Sequence, residues 1–199
     1  MINASPDSLH AESIVRGASE ALARARQLIA DGADGIDLGG QGSTDVATVV
    51  PAIAALGVPF SVDTWRPEVA HRALTAGANV LNAADGMQHD EMWQVAADHD
   101  VPIVVPFLSG PNPREMAMVE RDPVGTIIAF FESRLADADR FGVRARCILD
   151  PGTGFAPSNW PWEERYVYQK EVYTRLDELR RFGLPLYVAL PWKLSLIHI

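Results

Sequence analysis

The chain has 199 residues, of which 48% are hydrophobic and 22% are charged, a composition typical of one globular domain. Its formal net charge of −9 disfavours a surface for nucleic acid or for an anionic membrane, because like charges repel at long range. No stretch approaches the roughly 20 apolar residues of a membrane span, and no basic region followed by an apolar run opens the chain. Together with a single cysteine, Cys147, these features predict a cytoplasmic protein.

Hydrophobic periodicity predicts helices that alternate with short strands. The predicted helices cover residues 13–30, 46–56, 67–76, 91–99, 123–141 and 162–182. The apolar run after each helix predicts a strand; these strands begin at Ile36 and Phe60, end at Asn82, and cover residues 102–107, 147–150 and 186–190. Residues 1–2 predict the end of one more strand. Continuous apolar runs are typical of parallel strands that helices cover on the outside.

This alternation predicts an α/β fold, an incomplete (β/α)8 TIM barrel. Such barrels have eight strands and about 250 residues. We therefore expect strands 1 to 7, with the last strand and helix missing. Residues 1–193 would form the barrel domain and residues 194–199 a non-native or disordered tail. An open Rossmann-like sheet is the alternative, although no glycine-rich turn follows the first strand.

Four predicted strands end in an acid or amide beside glycine or threonine, namely at Asp37, Asp63, Asn82 and Asp150. The carboxyl ends of barrel strands open on one mouth, so these side chains would converge on one polar ligand. Buried carboxylates are costly unless they accept hydrogen bonds, which predicts a ligand rich in N–H donors. Alternatively, Asp37 and Asp150 only cap a helix or hold a turn beside their glycines.

The order of these motifs resembles that of the dihydropteroate synthases. Asn3-Ala-Ser-Pro-Asp7-Ser is similar to their Asn-x-Thr-Pro-Asp-Ser signature, and residues 34–40, 61–64, 77–82 and 150–155 resemble later motifs of that family. The resemblance implies a transferase of folate biosynthesis. Its substrates would be 6-hydroxymethyl-dihydropterin diphosphate and para-aminobenzoate, with pyrophosphate as the leaving group and a homodimer as the possible full-length form.

The resemblance also implies roles for individual residues around the pterin. Asp150 would accept the pterin's amino group and ring N–H in a two-bond fork. Asp63 and Asn82 would hold other polar edges of the ring, Lys193 would donate to a ring acceptor, and Phe155 would pack nearby.

Catalysis is assigned to three of the matching positions, Asp37, Asp63 and Lys193. Nearby carboxylates would stabilise the positive charge that develops at the methylene carbon. Thr44 would bind substrate, and Asn3 would lie on the side of the Mg²⁺ ion that accompanies pyrophosphate. Asn3 could instead belong to a helix cap.

Two departures from the family keep other functions open. Asp45 stands where the family has an arginine, and Pro191-Trp192 replaces its Ser-Arg. A pterin-binding protein without catalysis would tolerate these changes. So would a methyltetrahydrofolate-dependent methyltransferase of the same superfamily, whose pterin carries no diphosphate.

Overall fold

A six-stranded parallel sheet forms the centre of the molecule. The computed structural model describes residues 1–4, 11–41, 43–111, 115–119, 121–153 and 161–190. The strands are β1 Ile2–Asn3, β2 Ile36–Gly39, β3 Phe60–Thr64, β4 Val80–Ala83, β5 Ile103–Pro106 and β6 Cys147–Asp150. Each strand pairs in parallel with the next one along the chain, in the order β1 to β6.

Helices connect the strands and cover the sheet. They are α1 Ala18–Ala30, α2 Ser43–Ala54, α3 Pro67–Thr75, α4 Asp90–His99, α5 Pro123–Arg140 and α6 Trp162–Thr174. Short 3-10 helices occupy Ala11–Ser13, Arg144–Arg146 and Leu176–Phe182. Strand residues and inward helix residues form one core, in which Phe60, Trp93 and Phe131 are the largest fully buried side chains. Parallel strands need helical crossovers, and burial on both faces explains their apolar sequences.

The sequential strand order confirms the predicted incomplete (β/α) barrel. A Rossmann-like sheet reverses direction after its first strand and so places β1 in the interior. Here β1 is at one edge of the sheet and its neighbours follow in chain order. The Rossmann alternative is therefore wrong. Among the described residues, no helix is long and apolar enough to span a membrane.

The first helix begins five residues later than predicted. Residues 14–17 remain extended because Ile14 forms a parallel bridge with Asn3 and the Val15 N–H donates to the Asn3 carbonyl at 2.8 Å. Gly17 then turns the chain at a φ of 103°, a conformation that favours glycine. Pairing with β1 thus overrides the helical pattern at the start of this segment.

The last predicted helix and strand are also shorter than expected. The α-helix ends at Thr174, and a 3-10 helix continues to Phe182. After it, Leu186 forms a parallel bridge with Leu149, and the Tyr187 N–H donates to the Leu149 carbonyl at 2.9 Å. The chain therefore lies beside β6, where a seventh strand was predicted, but the regular pairing does not extend to residue 190.

The packing of α6 can be tested with a matched pair of substitutions. Val172 is 1% exposed and Val167 is 60% exposed on the same helix. We expect Val172→Ala to lower the free energy of unfolding by about 2 kcal/mol, because it removes two buried methyl groups and leaves a cavity. Val167→Ala should change it by less than about 0.5 kcal/mol. Urea denaturation measures both values, and equal effects would contradict the observed packing of α6.

Candidate active site

The polar strand ends face the inside of the barrel. In β2, β3, β4 and β6 the polar residues alternate with apolar residues that are fully buried on the helix side, such as Leu38, Val62, Leu81 and Leu149. Because successive side chains of a strand point to opposite faces, the polar set shares the inner face. Asp37, Asp63 and Asn82 are half-buried, and Asp150 is only 2% exposed.

Strand register places several of these residues side by side. Asn3 pairs with Gly39, Gly39 with Asp63, and Asp63 with Asn82, so one row crosses four strands. Gly39 leaves the space that this row needs, because a Cβ there would overlap the side-chain oxygen of Asn3. The register therefore brings Asp63 and Asn82 side by side, as the motifs predicted.

Asp37 is held by two neighbours on the inner face. The Ser61 hydroxyl donates to Asp37 Oδ1 at 2.5 Å, and Asn82 Nδ2 donates to the same oxygen at 3.3 Å. Burial raises the pKa of Asp37, and these two hydrogen bonds partly offset that rise. Asn82 therefore links the end of β4 to β2.

Asp63 is affected both by burial and by its two acidic neighbours. Burial raises its pKa well above the ordinary range, and the negative charges of Asp37 and Asp150 raise it further. Charges act on one another in this way only when they are close or poorly screened. The three acids therefore lie near one another, although they come from three different strands, and they face the space inside the barrel mouth, hereafter the cavity.

Asp150, at the end of β6, is the third carboxyl of the group. Its Oδ1 accepts a hydrogen bond from the Gly152 N–H at 2.8 Å, and Gly152 adopts a φ of 73°. Burial raises the pKa of Asp150 to about 7, against the lowering effect of that one bond. The carboxyl is thus poised to change its protonation state near neutral pH, which is typical of functional sites.

Tyrosines on later elements approach Asp150, and none of them was assigned to the site from the sequence. The negative charge of Asp150 contributes to the raised pKa of Tyr168 and Tyr173 on α6, after the larger effect of burial. The Tyr173 hydroxyl also donates to the Ala189 carbonyl at 2.7 Å, which ties α6 to the segment beside β6. Tyr187 lies on that segment. In the sequence Tyr187 belongs to an apolar run, Leu186 to Leu190. Only the position of this run beside β6 could have indicated that Tyr187 lies near the site.

Asn3 is buried at the edge of the same mouth. Its amide nitrogen donates to the Ser13 hydroxyl at 2.7 Å, which turns the amide oxygen toward Gly39. Within the described ranges, no group of three or more His, Cys, Asp or Glu side chains could hold a metal ion. One amide oxygen fits an ion that keeps several waters and takes its other ligands from a phosphate, as Mg²⁺ does.

A glutamine connects the two loops that follow β2 and β3. Gln41 Oε1 accepts hydrogen bonds from the Thr64 hydroxyl at 3.0 Å and from the Trp65 N–H at 3.3 Å. The Arg66 guanidinium donates to the Gln41 carbonyl at 3.2 Å. These contacts hold the loop after β2 against the loop after β3.

Several sequence predictions fall outside the described structure. Phe155, Lys193 and residues 191–192 lie outside the described residues, as do Asp7 and the tail at 194–199. Thr44 lies in the first turn of α2, where only its backbone is described. The roles of these residues stay predictions.

Comparison with known proteins gives consistent matches. Residues 1–195 match the family described as pterin binding enzyme. A dihydropteroate synthase of Synechocystis sp. is 32% identical over 207 residues, which cover 95% of this chain and 69% of that protein. A probable bifunctional folylpolyglutamate synthase/dihydropteroate synthase of Halobacterium salinarum is 35% identical over 204 residues, covering 95% of this chain and 24% of that protein. The chain thus spans about a quarter of the bifunctional relative.

Solved structures show the same likeness. The dihydropteroate synthase of Thermus thermophilus in complex with 4-aminobenzoate superposes with a TM-score of 0.79 at 34% identity. That match covers 99% of this chain and 74% of the other chain. The synthase of Xanthomonas albilineans in complex with 7,8-dihydropteroate gives a TM-score of 0.76 at 27% identity, over 95% of this chain and 70% of that one.

The raised pKa of Asp150 predicts a specific pH dependence of stability. Between an ordinary carboxyl pKa near 4 and the folded value of about 7, the folded state keeps a proton that the unfolded state releases. The contribution of this group to the free energy of unfolding is therefore fully present below about pH 4 and is lost as the pH rises through about 7.

We expect the free energy of unfolding of Asp150→Asn, relative to the wild type, to rise between pH 5 and pH 8. Urea denaturation across this range measures the difference. Val167→Ala, which changes an exposed side chain on α6 and no titratable group, should give a difference that does not change with pH. A constant difference for Asp150→Asn would contradict the assignment.

The overlap at Gly39 predicts coupling with Asn3. We expect Gly39→Ala to lower the free energy of unfolding by about 1–3 kcal/mol, because the new methyl group would occupy the position of the Asn3 oxygen. In the Asn3→Ala background the same change should cost clearly less, since the obstruction is gone. A double-mutant cycle by urea denaturation measures this coupling. Additive effects would show that the two side chains do not compete for space.

Proposed function

Since the chain belongs to the family of pterin-binding enzymes and is similar along almost its whole length to dihydropteroate synthases, we propose that its cavity binds a pterin diphosphate. The reaction we propose joins 6-hydroxymethyl-dihydropterin diphosphate to para-aminobenzoate with release of pyrophosphate. This is a transferase step of folate biosynthesis. Relatives whose structures are described with 4-aminobenzoate and with 7,8-dihydropteroate support this choice of substrates.

The observation that carries the proposal is the buried carboxyl of Asp150 at the end of β6, beside two further carboxyls. A pterin presents an amino group and a ring N–H side by side, and a carboxylate accepts both in a two-bond fork. Such a ligand supplies the donors that a cavity lined by Asp37, Asp63 and Asp150 requires. Ser61, Asn82 and Gly152 already donate to Oδ1 of Asp37 and Asp150, and an acceptor-rich ligand would add no donor for the remaining carboxylate oxygens.

The same residues account for binding and for orientation of the reacting carbon. In our proposal Asp150 accepts the donor edge in its ionised form, so binding favours release of the proton that burial retains. Asn82 is fixed by its bond to Asp37 and offers its remaining amide groups to the ring. With the ring held in this way, the methylene carbon is presented to the incoming amine in one geometry.

The carboxyls also suit the charge that develops during transfer. As the bond to pyrophosphate breaks, positive charge grows at the methylene carbon of the pterin. Asp37 and Asp63 are half-buried on the inner face. Their pKa values are raised, so in our proposal the growing positive charge favours their ionised forms, and these carboxylates stabilise that charge in return. The amine of para-aminobenzoate is itself the nucleophile, so no protein side chain needs to form a covalent intermediate.

Mg²⁺ is the metal that we propose for the leaving group. Asn3 would hold it through the amide oxygen that the Ser13 hydrogen bond orients. When bound, the ion neutralises negative charge on the pyrophosphate. Thr44, Phe155 and Lys193 complete the proposed substrate contacts. We further propose a cytoplasmic location and, for the full-length form, a homodimer.

A second candidate is pterin binding without transfer. Asp45 and Trp192 stand where the synthases are expected to carry arginine, so two positive charges near the anionic substrate groups are absent from the sequence. Loss of these charges weakens the hold on pyrophosphate and on para-aminobenzoate, while it leaves the contacts to the pterin ring in place.

Calorimetry and product detection test these functions together. We expect the wild-type chain to bind 6-hydroxymethyl-dihydropterin diphosphate and to release pyrophosphate when para-aminobenzoate is added. Asp150→Asn should weaken binding at least about tenfold, because an amide replaces one acceptor with a donor and removes the charge. Asp177→Asn is the control and should bind like the wild type. Binding without pyrophosphate release would select the second candidate, and equal affinities of wild type and Asp150→Asn would remove Asp150 from the site.

A further inference from the structure

Tyr187 lies on the inner face of the barrel, beside the end of β6. The Leu186 bridge to Leu149 fixes its register, and the Tyr187 N–H donates to the Leu149 carbonyl. Leu149 is fully buried on the helix side of the sheet. Leu186 shares that side, so the alternation of side chains places Tyr187 on the same face as Asp150.

The charges that act on Tyr187 support this position. The pKa of Tyr187 is raised to about 12, and burial is the largest cause. The negative charges of Asp37, Asp150 and Asp63 also contribute to the rise in this pKa. All three carboxyls of the cavity therefore act on one phenol. The hydroxyl keeps its proton at every working pH and is a permanent hydrogen-bond donor.

The Tyr187 hydroxyl is a donor on an inner face whose other polar groups are mainly acceptors. Two other donors on the inner face, the Ser61 hydroxyl and the Asn82 amide, are already directed at Asp37. In the part of the chain that the structure describes, the Tyr187 hydroxyl makes no hydrogen bond, and the side chain is 44% exposed. A donor that no group of the described residues uses is therefore available to a ligand in the cavity.

The shape of a pterin indicates what this donor would meet. The edge with the amino group and ring N–H is flanked by acceptors, an oxo oxygen on one side and a ring nitrogen on the other. A carboxylate that grips the donor edge leaves these flanking acceptors unmatched. A hydroxyl adjacent to Asp150 is suited to one of them, because buried polar atoms need partners on both molecules.

We propose that Tyr187 is a pterin-binding residue whose hydroxyl donates to an acceptor atom next to the edge held by Asp150. This inference rests on the proposed function, since it assumes that the cavity binds a pterin. It adds a donor to the contacts that the sequence motifs predict. Tyr187 would favour ligands with an acceptor beside the donor edge over ligands with donors only.

Tyr187→Phe tests the proposal, because it removes only the hydroxyl. We expect its affinity for 6-hydroxymethyl-dihydropterin diphosphate, measured by calorimetry, to fall about 3- to 10-fold, with an unchanged urea midpoint. Tyr166→Phe is the matched control. Tyr166 lies on α6, where the Lys170 ammonium is 5.9 Å from the centre of the Tyr166 ring. We expect Tyr166→Phe to bind like the wild type.

The possible outcomes separate this inference from the proposed function. If Asp150→Asn loses affinity and Tyr187→Phe does not, the role of Tyr187 is overturned while the pterin site stands. If Tyr187→Phe loses affinity and its free energy of unfolding falls by a similar amount, the hydroxyl acts in folding and the proposal is also overturned. Absence of pterin binding by the wild-type chain would overturn both.

Discussion

The candidate site depends on three half-buried or buried carboxyls that share the inner face of the barrel. Like charges at close range in such a place ionise together only at a large cost, and that cost favours a ligand that brings N–H donors or positive charge. The raised pKa values of Asp37, Asp63 and Asp150 express that cost. Burial of the apolar residues between the acids offsets this cost, because these residues pack against the helices and hold each strand in register.

This arrangement connects the fold directly to the chemistry of the ligand. Parallel strands that pair in chain order bring residues separated by more than a hundred positions to one mouth. The inner face then carries acceptors from β2, β3 and β6, and a ligand with adjacent N–H groups matches them better than water does. A dihydropteroate synthase-like reaction uses such a ligand, and it needs negative charge near the carbon that is attacked. In the proposed reaction, binding and stabilisation of the developing charge would thus draw on the same three side chains.

Much of this could be predicted from the sequence, because the signals are local and repeated. The strand that ends at Asp150 was predicted with its observed bounds, and α3 to α5 lie within one or two residues of their predicted ranges. The start of α1 was missed, since the backbone pairing of residues 14–15 with Asn3 is a tertiary contact that helical periodicity does not report. The ordered motifs also predicted that Asp37, Asp63, Asn82 and Asp150 converge. Tyr187 was missed because only the register with Leu149 distinguishes its inward face from that of its neighbours.

The contacts of Gln41 have a mechanical consequence. Its side-chain oxygen takes hydrogen bonds from both the side chain of Thr64 and the backbone of Trp65, while its carbonyl takes one from Arg66. The loops after β2 and β3 are therefore coupled, and neither opens alone without breaking bonds of the other. The rate of hydrogen exchange at the Trp65 amide therefore reports how often the loop that carries Gln41 opens.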